Sequence, residues 1–122
     1  MKQVFLHALA DQPLIHNPRI KKRVMIAPGQ LDFLTNFSQA VFPVGEAVEA
    51  HRHEDMAEVF FVQSGCGEIR IEDEVMQLKP GVCVLVEAQE MHRLINTGTD
   101  TLIVTYFGIK SGARNKNLSP RT

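Results

Sequence analysis

The chain has 122 residues, 44% of them hydrophobic and 22% charged, with a mean hydropathy of −0.07; that is room for one domain and not for a second of ordinary size. Its 13 Lys and Arg against 14 Asp and Glu leave a formal net charge of −1, too little excess base for a phosphate-binding face, so no nucleic-acid partner is expected. No apolar run reaches the roughly 18 residues of a membrane span, and Gln3 and His7 interrupt the short apolar start, so neither a membrane partner nor a secretory leader is expected.

Residues 1–30 read as an irregular arm, with Pro13, Pro18 and the basic run Lys21-Lys22-Arg23. Such a run is either solvated or part of an arm that pairs with another subunit's sheet. From there, short β-rich runs alternate with turn signals, the rhythm of a sandwich or barrel. The predicted strands are Leu31 to Phe37, Ser38 to Phe42, Ala47 to His53, Glu58 to Gln63, Glu68 to Glu72, Val75 to Leu78, Val82 to Val86, His92 to Asn96 and Thr101 to Ile109. Val82 to Val86 is apolar at every position and is expected to be buried on both faces. Residues 31–110 thus form one β-domain, and the polar stretch 111–122 is expected to be a disordered tail. Cys66 and Cys83 are too few for a disulfide framework and are read as small buried residues of a cytoplasmic protein.

Three of the five histidines are placed where a metal ion would want them. Side chains alternate along a strand, so His51 and His53 face the same way, about 7 Å apart along the backbone, and can converge on one ion at about 2.1 Å. Glu58 follows a short polar connector and could add a carboxylate, and His92 begins a later strand that barrel closure can bring alongside. A solvated, charged hairpin tip at residues 51–55 is the competing reading. A zinc-protease helix is ruled out because Ala57 stands where its second histidine is required. Gly-rich phosphate loops and nucleophile elbows are absent from the sequence.

The glycines decide between these readings. Gly45 is followed by five residues, His51-Arg52-His53, four residues, Glu58, six residues and Gly65; Gly81 is followed by five residues, Glu87-Ala88-Gln89, two residues, His92, three residues and Asn96. This pattern resembles the cupin superfamily, whose motifs read G-x(5)-H-x-H-x(3,4)-E-x(6)-G and G-x(5)-P-x-G-x(2)-H-x(3)-N. The first matches at every defining position; the second has Glu87 for its proline and Gln89 for its glycine. The resemblance implies an all-β double-stranded β-helix, or jelly-roll barrel, holding a divalent metal (Fe, Mn, Ni or Zn) through His51, His53, Glu58 and His92. It also implies that losing Pro and Gly before His92 leaves a wider loop and a less rigidly placed ligand.

Strand parity then suggests the pocket. With Glu58 inward, Phe60 and Val62 follow; with His92 inward, so do Leu94 and Asn96. Phe33 and Phe37 are expected on the opposite wall, although Asn96 also reads as a strand-end residue capping local backbone. Glu90 on the loop before His92 and Tyr106 in the last strand are the candidate acid–base residues. Three functions fit: a metal-dependent enzyme on a small organic substrate (a dioxygenase, or a lyase or isomerase acting through an enediolate), a non-catalytic small-molecule sensor, or a structural barrel with a vestigial site. Exposed sheet edges suggest a homodimer.

Overall fold

The structure is a computed structural model and describes residues 1–113; the tail expected at 111–122 lies almost wholly outside them. It is built from nine strands: β1 (Gln12–Pro13), β2 (Lys21–Ile26), β3 (Leu34–Phe42), β4 (Met56–Ser64), β5 (Gly67–Ile71), β6 (Glu74–Leu78), β7 (Cys83–Val86), β8 (His92–Ile95) and β9 (Leu102–Lys110). They form a six-stranded sheet in the order β1-β2-β3-β9-β4-β7 and a three-stranded sheet in the order β6-β5-β8, with every pairing antiparallel. This is the jelly-roll barrel that the resemblance implied, one of the sandwich or barrel folds that the strand rhythm suggested. No helix of the described residues is long and apolar enough to cross a membrane.

The core lies between the two sheets, where alternation gathers Ala40, Phe42, Phe60, Val62, Val84, Val86, Leu102 and Val104 from one and Ile69, Ile71, Leu78 and Leu94 from the other. Arg70, between the two isoleucines, is exposed and bonds Glu68. Glycines punctuate the turns. Gly65 has φ +82, and a Cβ there would lie 2.2 Å from the Thr101 carbonyl oxygen, so only glycine fits.

Several sequence expectations differ from the structure, beginning with Leu31 to Phe37 and Ser38 to Phe42, which from Leu34 on form the single strand β3. The arm is not irregular throughout, because β2 pairs along β3 of its own chain from Lys21 to Ile26; the β-branched and apolar Val24-Met25-Ile26 makes a good strand once a partner edge is available. Val82 to Val86 is not buried on both faces. As the edge strand β7, it buries Val84 and Val86 and exposes Cys83 and Leu85. The cysteines are therefore both free and exposed, Cys66 in the turn after β4 and Cys83 on the outer face. Finally, Ala47 to His53 is not a continuous strand. It touches β8 only at isolated bridges, Ala47 with Ile95 and His51 with His92; four steps on one side against three on the other place an extra residue between them, as in a β-bulge.

Candidate metal centre

His51, His53, Glu58 and His92 each offer one ligand atom, and these atoms lie within 4.8 Å of one another. Three different devices bring them together. The bridge exchanges two backbone bonds, His51 N–H to His92 O at 3.0 Å and His92 N–H to His51 O at 2.8 Å, which packs the two rings 4.3 Å apart between centroids. The extended chain beyond it returns His53 to the same side, 5.0 Å from the His51 ring. Glu58 enters from the neighbouring sheet, on the inner face of β4 and opposite Gly108 of β9.

The imidazole tautomers follow from backbone carbonyls. Nδ1 of His51 is 2.9 Å from Glu49 O, and Nδ1 of His92 is 3.0 Å from Glu90 O. A carbonyl only accepts, so each Nδ1 carries the proton. A neutral His51 ring then turns its Nε2 lone pair inward, whereas His92 Nε2 bonds Glu58 Oε1 by donating a second proton as an imidazolium and offers a lone pair once that proton is lost. Glu58 Oε1 then lies 2.9 Å from His53 Nε2 and 3.1 Å from His92 Nε2. The His53 contact lacks the alignment of a hydrogen bond, and its Nε2 is a buried nitrogen without a hydrogen-bond partner among the described residues. Lone pairs converging on a carboxylate repel unless protons or a cation lie between them.

A divalent cation fits this arrangement. Ligands about 2.1 Å from an octahedral ion stand about 3.0 Å apart when adjacent and about 4.2 Å when opposite, so a widest pair at 4.8 Å needs to close by about 0.6 Å to sit on opposite sides of one ion. Three imidazoles and one carboxylate form a donor set that suits first-row metals. The electrostatics agree. Burial alone would push the Glu58 carboxyl up, but the His92 hydrogen bond and the three imidazoles hold it below the ordinary range. Burial lowers His51. It also works to lower His92, but the Glu58 bond and the Glu90 carbonyl raise that ring overall.

The cluster opens into a cavity of about 630 Å³. Phe60 and Leu94, placed inward by the parity argument, line it together with Tyr106, Ala40, Phe42, Val48 and Val104. Four expected lining residues lie elsewhere. Phe37 packs edge-on against Phe107 on the outer face; the pairing with β9 is unbroken from Asn36 to Phe42, so Phe37 alternates with the inward Ser38, Ala40 and Phe42, and the register shift lies ahead of it. Phe33 sits in the turn before β3 with φ 69 and is exposed. Val62 is packed in the core beyond Phe60. Asn96 is buried with its amide committed to backbone: Nδ2 donates to Phe42 O and Asp100 O, both at 2.9 Å, and Oδ1 accepts from Gly98 N–H at 2.9 Å.

Of the two acid–base candidates, Glu90 does not line the cavity; its Oε1 accepts the Glu87 N–H at 2.7 Å. Tyr106 does line it, stacked on Phe60 at 5.8 Å, and burial together with the nearby Glu58 charge pushes its hydroxyl up to about 12. The loop before His92 is not wide either. Gln89 takes φ 74, the left-handed conformation that a glycine would adopt freely. Its N–H donates to His53 O at 2.7 Å and its Nε2 to Glu54 O at 3.2 Å. Sequence reasoning missed the arm's share of the cavity: Leu14, Asn17 and Lys22 all line it, and Asn17 Nδ2 donates to Glu46 Oε1 and Ala47 O.

The family model for the cupin domain matches residues 38–108, more than half of the chain, and the chain belongs to that family. It is 24% identical over 63 residues to an uncharacterized protein of Methanocaldococcus jannaschii, a match covering 52% of this chain and 50% of that relative, so it spans about half of that protein's length. Among solved structures, it is similar to a predicted oxalate decarboxylase from Thermotoga maritima (TM-score 0.84, 18% identity, 89% of this chain and 99% of that one). It is also similar to KdgF from a Halomonas species (TM-score 0.72, 22% identity, 95% and 98%) and to the polyketide cyclase RemF from Streptomyces resistomycificus (TM-score 0.77, 16% identity, 91% and 80%). At such identities these likenesses speak for the fold alone.

Proposed function

We propose that the protein binds one divalent metal ion through His51, His53, Glu58 and His92 and uses it as a metal-dependent enzyme on a small organic substrate held in the adjoining apolar cavity. The observation that carries this reading is the convergence of three imidazoles on Glu58, with the buried His53 Nε2 lacking a hydrogen-bond partner among the described residues. A bound Fe, Mn, Ni or Zn supplies a Lewis acid to a substrate oxygen and, where the metal is iron, a site for dioxygen. The chain's own residues do the rest. Glu49 and Glu90 carbonyls hold the His51 and His92 tautomers, and the Phe42, Phe60, Leu94 and Val104 walls exclude water and orient an apolar substrate body. Oxygenative cleavage, or a lyase or isomerase reaction proceeding through an enediolate, are the reaction classes in view.

A second reading, a sensor that binds without turnover, is favoured by one observation. Tyr106, its hydroxyl held near 12, is a poor proton donor at neutral pH, and Glu90 points away. Elemental analysis of protein purified without chelators tests the metal, with about one ion per chain expected. Substrate screening in air and under nitrogen then separates enzyme from sensor, since steady product formation excludes the sensor. A metal-free preparation that no added ion stabilises would exclude both. The proposal includes a homodimer, supported by exposed edge strands β1 and β7 and by exposed Phe61 and Leu85 on the outer face, and a cytoplasmic location, in keeping with two free cysteines. A clean monomer mass by light scattering would remove the dimer.

A further inference from the structure

The basic run at residues 21–23 is not uniform. Alternation along β2 sends Lys21 and Arg23 one way, where Lys21 Nζ donates to Pro18 O at 2.5 Å and Arg23 Nε to Asp11 at 2.9 Å. Lys22 goes the other way and lines the cavity, half-buried. In register it lies beside Ala40 of β3, which lies beside Val104 of β9; Leu14 and Phe42 line the same cavity. Among the described residues its ammonium makes no ion pair and no hydrogen bond. The other charged groups around the cavity do not answer it. Glu58 is engaged by two imidazoles, and Glu49 and Arg52 are exposed at the mouth. The Lys22 stem can lie along the apolar wall while the ammonium stays hydrated, so a carboxylate entering the cavity would find an unengaged counter-charge there.

Lys22 also stands apart from the metal cluster. Glu58 shares a row with Gly108 and Asn36, whereas Lys22 shares one with Ala40; four residues along β3 separate these rows by about 13 Å. A lysine side chain spans roughly half of that, which leaves an apolar stretch between the two polar ends. The cavity volume, about 630 Å³, lies within the ordinary range of about 300–1,000 Å³ for small-molecule sites. A phosphate group would call for several converging cationic donors; besides Lys22, the one Lys or Arg side chain lining the cavity among the described residues is Arg52, which is exposed.

We infer that the cavity takes an organic acid with an apolar body, its carboxylate bound by Lys22 at the end remote from the histidine cluster. This deepens the proposed function and rests on it for the ligand's other end, which would face the metal. The structure gives Lys22 a binding and positioning role, one that sets which substrates enter and which end reacts.

The test uses 3-phenylpropionate and its neutral counterpart, 3-phenylpropanamide, titrated calorimetrically into the wild type and into Lys22→Met, Lys22→Arg and His53→Ala. The wild type and His53→Ala should bind the acid at least tenfold more tightly than the amide, about 1.4 kcal/mol. Lys22→Arg should keep most of that preference. Lys22→Met should bind both alike and the amide as the wild type does, which shows that its cavity is folded. A wild type that does not bind the acid at millimolar concentration, or that binds acid and amide equally, overturns the inference. A preference that survives Lys22→Met but is lost in His53→Ala also overturns it, placing the carboxylate on the cluster and leaving the metal reading intact. Conversely, a preference dependent on Lys22 in a protein that binds no metal upholds the inference and removes the metal enzyme.

Discussion

Replacing His53 by Ala separates metal binding from folding more cleanly than any other change at the cluster. The His53 side chain is 32% exposed and its Nε2 has no hydrogen-bond partner among the described residues, whereas His92 is 1% exposed and hydrogen-bonds both Glu58 and the Glu90 carbonyl. Removing His92 would open a cavity and strand a buried carboxylate; removing His53 deletes a ring that the metal-free fold hardly uses. The metal-free variant is therefore expected to melt within about 1 kcal/mol of the wild type.

The metal-bound state should respond very differently. An ion at a hundred times its dissociation constant stabilises a protein by about 2.7 kcal/mol, which for a domain of this size raises Tm by roughly 10 °C. Changing a group that merely hydrogen-bonds a metal ligand weakens metal sites about 10–100-fold, so deleting a ligand should cost at least about a hundredfold. At the same ion concentration the remaining gain is then about 0.4 kcal/mol, under about 2 °C. Thermal melts of chelated protein re-supplied in turn with Mn, Ni, Zn and, anaerobically, Fe measure both numbers. The reasoning fails if His53→Ala keeps the whole metal-induced shift, or if none of the four ions moves the wild type.

The other predictions concern the same scaffold. In metal-free protein the carboxyl of Glu58 is held below its ordinary 4.5 and His92 above its ordinary 6.5. The Glu58 contribution is present above pH 4.5 and lost as pH falls, and the His92 contribution is present below pH 6.5 and lost as pH rises. The Tm difference between wild type and Glu58→Gln should therefore be greatest between these values and shrink on either side; a difference flat from pH 4 to about 8 contradicts it. Gly65→Ala, whose Cβ would sit 2.2 Å from a carbonyl oxygen, should cost at least about 3 kcal/mol in urea unfolding or prevent folding. Gly45→Ala, with the same φ of +82 and nothing within 4 Å, should cost only about 1–2 kcal/mol. Asn96→Ala leaves the Phe42 and Asp100 carbonyls and the Gly98 N–H without their amide partner; it should lower stability by about 2–4 kcal/mol with the metal stoichiometry unchanged in folded protein.

How far the sequence could be read depended on whether each feature is local or set by a neighbouring strand. The turns at Gly65 and Gly81, the alternation Ile69-Arg70-Ile71 and the shared face of Glu58 and Phe60 are decided within a few residues, and the structure has them all. The histidine spacing was likewise legible, since one extended segment returns His51 and His53 to the same side whether or not it is a formal strand. Phe37 was misplaced because Leu34 to Phe42 carries apolar residues at both parities; with Ala40 and Phe42 in the core, alternation puts Phe37 outside. Val82 to Val86 was misjudged because an all-apolar run cannot declare that it lies at a sheet edge with its outer face uncovered. Lys22 went unnoticed because a basic triplet reads as a solvated run until β2 has a partner that makes its residues alternate.

The departures at positions 87 and 89 show how a rigid turn can be rebuilt from different chemistry. A proline fixes φ and a glycine enters the left-handed region without penalty; here Gln89 enters it at φ 74, against a cost of about 1–2 kcal/mol. The turn holds because its donors are satisfied. Glu90 Oε1 takes the Glu87 N–H at 2.7 Å, the Glu90 N–H returns to Glu87 O at 3.2 Å, and the Gln89 N–H reaches His53 O at 2.7 Å. That last bond crosses between the two motif segments, so the loop carrying His53 and the loop preceding His92 brace each other directly. The Glu90 carbonyl set by the same turn then receives the His92 Nδ1–H. Strain at one residue is thus balanced by bonds that fix two members of the cluster at once, and His92 is positioned by its contact with the neighbouring loop as much as by its own backbone.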